Sequence, residues 1–120
     1  MKIAAAATVL FLALTGAAAA QNLGGNYTVQ GTTATGSGYR GTARIEATSD
    51  TTCRIVWNTG NGEVSEGICM RNRNAFSAAY RHQNVVGLVI YQVMPDGTLD
   101  GIWTIAGNAG AGREVLTPAR

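Results

Sequence analysis

Apolar and polar residues exchange places with a period of two along most of the chain, the spacing of half-buried strands rather than of a one-sided helix. Tyr27, Val29 and Gly31 fall on one side, with Thr28 and Gln30 opposed. After Gly36-Ser37-Gly38 the pattern is cleaner, with Tyr39, Gly41, Ala43, Ile45 and Ala47 set against Arg40, Thr42, Arg44 and Glu46. A third strand is predicted over 51–58, placing Cys53, Ile55 and Trp57 on one face. A Thr-Gly-Asn-Gly turn at 59–62 follows, and then a strand over 63–71. Further strands are predicted over 75–82, 85–94, 98–106 and 113–117, separated by turns such as Pro95-Asp96-Gly97. The stretch 85–91 is almost continuously apolar, so full or partial cover is expected on both of its faces.

About eight short strands leave no room for crossover helices, so neighbours pair antiparallel as an up-and-down meander. An all-β meander with one apolar face closes most simply into a barrel, which removes exposed edges. A two-sheet sandwich is the alternative. Gly41, Gly67, Gly87 and Gly101 inside strands suit the sharp coiling of a small barrel.

Cys53 and Cys69 are the only cysteines. Set opposite each other across the hairpin, they also pair Ile55 with Gly67 and Trp57 with Ser65, a large residue over a small one each time. Opposed residues on paired strands lie within disulfide reach, and one residue of slip would send the cysteines to opposite faces. A structural disulfide is therefore expected, closing a loop of about 15 residues and stabilising by ~3 kcal/mol. C-x-x-C spacing, which a redox pair would carry, is absent.

Residues 1–20 change the picture of the N-terminus. Lys2, an apolar run from Ile3 to Leu14 broken by Thr8, and the small residues Ala18 and Ala20 match a cleavable signal peptide. Cleavage is expected after Ala20, leaving a single β-barrel domain over 21–120, periplasmic or secreted, with no membrane span after processing. The apolar run is too short for a transmembrane helix. Two cysteines in the exported part agree with an oxidising compartment.

Charge narrows the partners. Formal net charge is +2, and Lys2 is the only lysine, so the exported domain carries arginines alone. These nearly balance the acids and form no block beyond Arg71-Asn72-Arg73, which argues against nucleic-acid binding. His82 is the only histidine and has no neighbouring ligand set in sequence, so no metal is expected. Near a strand end it reads as a surface or turn residue. No G-x-S-x-G elbow surrounds Ser37, Ser49, Ser65 or Ser77, and strand alternation sends Glu63 and Glu66 to opposite faces. Glycine-rich 107–112 lacks the lysine of a phosphate loop. Neither an enzyme nor a cofactor is indicated.

Four segments carry a likeness: Gly25-Asn-Tyr27-Thr-Val29-Gln-Gly31, Gly38-Tyr-Arg-Gly41-Thr, Cys53-Arg-Ile-Val-Trp57, and Asp96-Gly-Thr-Leu-Asp-Gly101-Ile-Trp103-Thr. They resemble an uncharacterised family of small exported β-proteins of proteobacteria, some labelled fibronectin-binding-like. In architecture the chain is similar to avidin-like and lipocalin-like barrels, where glycine-x-aromatic steps recur. Tyr27 stands where a lipocalin opening has tryptophan, and the residues of an avidin biotin site have no counterparts, so neither resemblance implies a ligand.

A non-enzymatic binding module is the expectation, taking a small apolar ligand or an extracellular or periplasmic protein. The alternative is an inhibitor of a protease or lysozyme, acting through a loop at 71–74 or 108–113. Aromatic side chains anchor binding surfaces and barrel mouths hold ligands, so Trp57, Trp103, Tyr39 and Tyr91 are the candidate ligand-binding residues; the alternative is that these rings, with Tyr27, Phe76 and Tyr80, simply fill the core of a small barrel.

Overall fold

A computed structural model describes residues 22–60 and 62–119. The signal peptide expected over 1–20 and its cleavage after Ala20 lie outside these residues. The strands are β1 Gly25–Thr32, β2 Gly38–Ala47, β3 Thr52–Asn58, β4 Val64–Asn72, β5 Ala75–His82, β6 Val85–Val93, β7 Leu99–Ile105 and β8 Gly112–Pro118. Each pairs antiparallel with the next and β8 returns to β1, so the sheet is a closed barrel and not a sandwich. The expected fold class is the observed one.

The hairpin register is also the expected one. Cys53 faces Cys69, Ile55 faces Gly67 and Trp57 faces Ser65. Cys53 and Cys69 are joined in a disulfide with a Cα–Cα distance of 4.9 Å. Arg73 and Asn74 alone link β4 to β5, so the segment offered as an inhibitory loop at 71–74 is a tight turn, with Arg73 at φ 60°.

Every second side chain enters the lumen, and the two halves of the lumen differ. The end bearing the β2–β3, β4–β5 and β6–β7 turns is filled. Ile45, Ile55, Phe76, Tyr91, Leu99 and Leu116 are fully buried there, with Phe76 and Tyr91 stacked at 5.6 Å. Leu23 packs against this core, and its carbonyl accepts a hydrogen bond from the Tyr27 hydroxyl at 2.6 Å. The filled half agrees with an eight-stranded barrel being just wide enough for its own side chains.

The other half is built differently. Aromatic rings lie against glycines of the neighbouring strand: Tyr39 over Gly31, Tyr80 over Gly87, Trp103 over Gly112. A Cβ at Gly87 would sit 2.2 Å from Tyr80 Cζ, and one at Gly112 would sit 2.5 Å from Trp103 Cε2. Tyr91 lies over Gly101 in the same way in the filled half, but between Tyr39, Tyr80 and Trp103 the lumen stays open.

The cover expected over both faces of 85–91 is absent among the described residues. Inward Val89 and Tyr91 are buried, while outward Val86, Leu88 and Ile90 are half or more exposed. A single-layer barrel has one core, its lumen, and an antiparallel sheet can leave its other face to solvent. Ile68, Met70 and Ile102 share that exposed face through the register.

Candidate functional site

The open half encloses a cavity of about 450 Å³. Its walls are inward positions of the strands, and its rim is formed by Thr33, Thr59, Glu63 and Gln83 at the hairpin ends. Tyr39 from β2, Trp57 from β3, Tyr80 from β5 and Trp103 from β7 supply the aromatic wall, completed by Val89 and Ile105. Trp57 and Tyr80 pack at 5.1 Å, and Tyr39 meets Trp103 edge-on at 6.1 Å.

Glu114 lies at the floor. It is the one buried charged or polar residue among the described residues, 6 % exposed. Alternation dictates this position, because Gly112, Glu114 and Leu116 share the inward phase of β8. Three donors converge on its carboxylate. The Tyr39 hydroxyl donates to Oε1 at 2.7 Å, the Trp57 indole N–H to Oε2 at 3.1 Å, and the Tyr91 hydroxyl also to Oε2. Trp57 Nε1 lies 3.3 Å from the Tyr91 hydroxyl oxygen as well, which ties the three residues into one network. A buried carboxylate requires such bonds, since removal from water is otherwise costly.

The phenols record the negative charge. Burial, reinforced by Glu114, pushes Tyr80 up to about 12. The same two causes push Tyr39 and Tyr91 well above the ordinary tyrosine value. In each case burial in a low-dielectric setting disfavours the phenolate first, and the carboxylate's charge then opposes a second anion.

Trp103 adds an unmet requirement: its Nε1 is buried and has no hydrogen-bond partner. Such groups are rare in folded proteins, and this one borders a cavity.

At the rim, Ser65 Oγ and His82 Nδ1 are 2.8 Å apart, and His82 Nε2 lies 3.5 Å from Glu63 Oε1. His82, expected as a surface or turn residue, ends β5 before the turn at 83–84, and its side chain, 27 % exposed, lines the cavity rim. Serine, histidine and glutamate compose an acyl-transfer relay on other folds, but there the acid is buried and holds the imidazole firmly. Here Glu63 is 51 % exposed and its contact is long, so the row is a polar rim. Among the described residues no three metal-ligating side chains cluster, and no helix is long and apolar enough to cross a membrane.

Of the four expected ligand-binding residues, Trp57, Trp103 and Tyr39 line the cavity, and Tyr91 lies beneath it, bonded to Glu114. Glu114 was not anticipated, and neither His82 nor Ser65 was expected to border a site. The phase of β8 could have revealed Glu114, because it shares a face with Leu116.

Solved structures similar to this chain include three β-barrel proteins, all of low identity. A redesigned β-barrel superposes with a TM-score of 0.73 at 14 % identity, over 85 % of this chain and 96 % of the other. A de novo designed fluorescence-activating β-barrel gives 0.63 at 18 % identity, over 84 % and 97 %. EF1p2_mFAP2b, solved bound to DFHBI, gives 0.65 at 20 % identity, over 84 % and 97 %. No protein-family model matches the chain, and no curated protein matches it significantly. At these identities the likeness establishes the fold: a single small closed barrel.

Proposed function

We propose that the chain is a non-enzymatic binding module that takes a small, largely apolar ligand into the open half of the barrel. The observation that carries this reading is the half-empty lumen: a cavity of about 450 Å³, sealed below by packed side chains and walled by four aromatic residues. That size falls within the usual range for small-molecule sites. The unpartnered Trp103 Nε1 supports it, since a ligand acceptor would satisfy the group. Two of the similar barrels are described as fluorescence-activating or as bound to DFHBI, so a barrel of this shape can hold a small molecule. Placement in the periplasm or outside the cell is part of the proposal, supported by the leader-like 1–20 and by the disulfide.

Trp57 and Trp103 are the only tryptophans and both border the cavity, so intrinsic emission reports on its occupancy. A panel of small apolar probes, among them propylbenzene, should shift or quench that emission saturably. Ser65→Phe, which inserts a ring into the cavity, should weaken the response at least tenfold by calorimetry. A folded protein whose emission no member of the panel changes would end this reading.

A further inference from the structure

No arginine or lysine lines the cavity, although the chain's net charge is +2; its one basic group is His82, beside Glu63 at the rim. The cavity's ionisable carboxylates are Glu114 at the floor and Glu63 at the rim. Among the described residues the ion pairs are His82 with Glu63 and Arg113 with Asp100, so none involves Glu114. Its three donors are a neutral indole and two phenols, which offset desolvation without cancelling the charge.

Acceptor capacity on Glu114 is unevenly used. Oε2 receives two donors and Oε1 receives one, so Oε1 retains an open acceptor site. The same cavity is lined by the rings of Tyr39, Trp57, Tyr80 and Trp103. Aromatic rings attract cations through their quadrupoles, most strongly where water is excluded.

We infer that the cavity selects ligands carrying a protonated amine on a compact apolar body, the ammonium directed at Glu114 within the aromatic wall. This rests on the binding reading above and specifies the ligand's charge. The ammonium N–H would use the remaining acceptor site on Oε1, its charge would meet the uncompensated carboxylate, and the apolar body would fill the space beside Val89 and Ile105. An anionic ligand of the same shape would face two carboxylates, with His82, already beside Glu63, as the one basic group.

Phenethylammonium and its neutral near-isostere propylbenzene form the test, titrated at pH 7 into the intact protein with tryptophan emission and calorimetry. The amine should bind at least tenfold more tightly. In Glu114→Gln, which removes the charge at nearly the same size, the ratio of the two affinities should fall to about one. Equal or tighter binding of propylbenzene by the unaltered protein would overturn the inference and leave the apolar-ligand reading standing. A preference for the amine that survives in folded Glu114→Gln would also overturn it, by removing Glu114 as the source of selectivity. Binding of neither probe would overturn the inference, and silence across the wider apolar panel would fell the binding reading as well. Should Glu114→Gln fail to fold, the two probes on the unaltered protein decide the matter.

Discussion

Glu114 shows how one polar residue organises half of a core. Its carboxylate is stabilised by bonds from Tyr39, Trp57 and Tyr91, residues of three different strands. Removing an acceptor that buried donors share leaves those donors unpaired, which costs more than the bonds contribute. Glu114→Leu should therefore destabilise the barrel by about 3 kcal/mol despite its apolar replacement, and Tyr91→Phe by roughly 1–3 kcal/mol, both measured by urea unfolding. The same environment governs ionisation. All four tyrosines of the chain, Tyr27, Tyr39, Tyr80 and Tyr91, are raised above the ordinary value, burial being the first cause for each. Each folded value exceeds the unfolded value near 10, so the resulting stability is complete below about pH 10. It is lost as the pH rises from about 10, where the phenols of the unfolded chain ionise, through the folded values, about 12 for Tyr80. Phenolate absorbance at pH 10.5 should stay well below that of the unfolded chain while the protein is folded and rise with loss of the β-sheet spectrum. As much phenolate in a fully folded protein as in the unfolded chain at that pH would contradict the burial of these rings.

Strand pairing was legible in the sequence because two independent signals, binary alternation and the cysteine spacing, agree on one register. Cys53 opposite Cys69 fixes Ile55 over Gly67 and Trp57 over Ser65, and the structure has those pairs. What alternation could not supply was the pairing of inward residues around the barrel, because contacts such as Tyr39 with Glu114 join residues 75 apart in sequence. The Ser65–His82 bond was hidden for the same reason, since neither residue alone signals the other across β4 and β5. Glycines tell a related story. Gly67 cannot accept a Cβ because the Ala79 carbonyl oxygen would lie 2.0 Å away, a backbone obstacle. At Gly87 the nearest obstacles are atoms of the Tyr80 ring alone. Gly87→Ala should thus cost a few kcal/mol in the natural background, in the range of an overpacked core, and close to nothing when combined with Tyr80→Ala. Gly67→Ala should have no such partner and should remain destabilising in either background. A double-mutant cycle by denaturant unfolding reads this difference directly, and additive costs at Gly87 and Tyr80 would refute the close ring-on-glycine packing.

The whole barrel divides its lumen between stability and vacancy. Leu99 and Leu116 face each other across β7 and β8 in the filled half, with no measurable exposure. Ile105, at the end of β7, borders the cavity and is only partly buried. Truncating a packed side chain removes its transfer energy and also creates a void, whereas truncating one beside an existing space mainly enlarges that space. Leu99→Ala should accordingly cost 2–5 kcal/mol and Ile105→Ala under about 1.5 kcal/mol, although the first removes no more hydrocarbon than the second. Ligand should invert the ranking of sensitivity. A bound molecule stabilises only the folded state, in proportion to its occupancy, so saturating ligand should raise the melting temperature of Leu99→Ala as it does that of the unaltered protein. Ile105→Ala should recover less, because it loses wall contact with the ligand. Equal ligand-induced shifts in both variants, or equal costs without ligand, would show that the two halves of the lumen are packed alike.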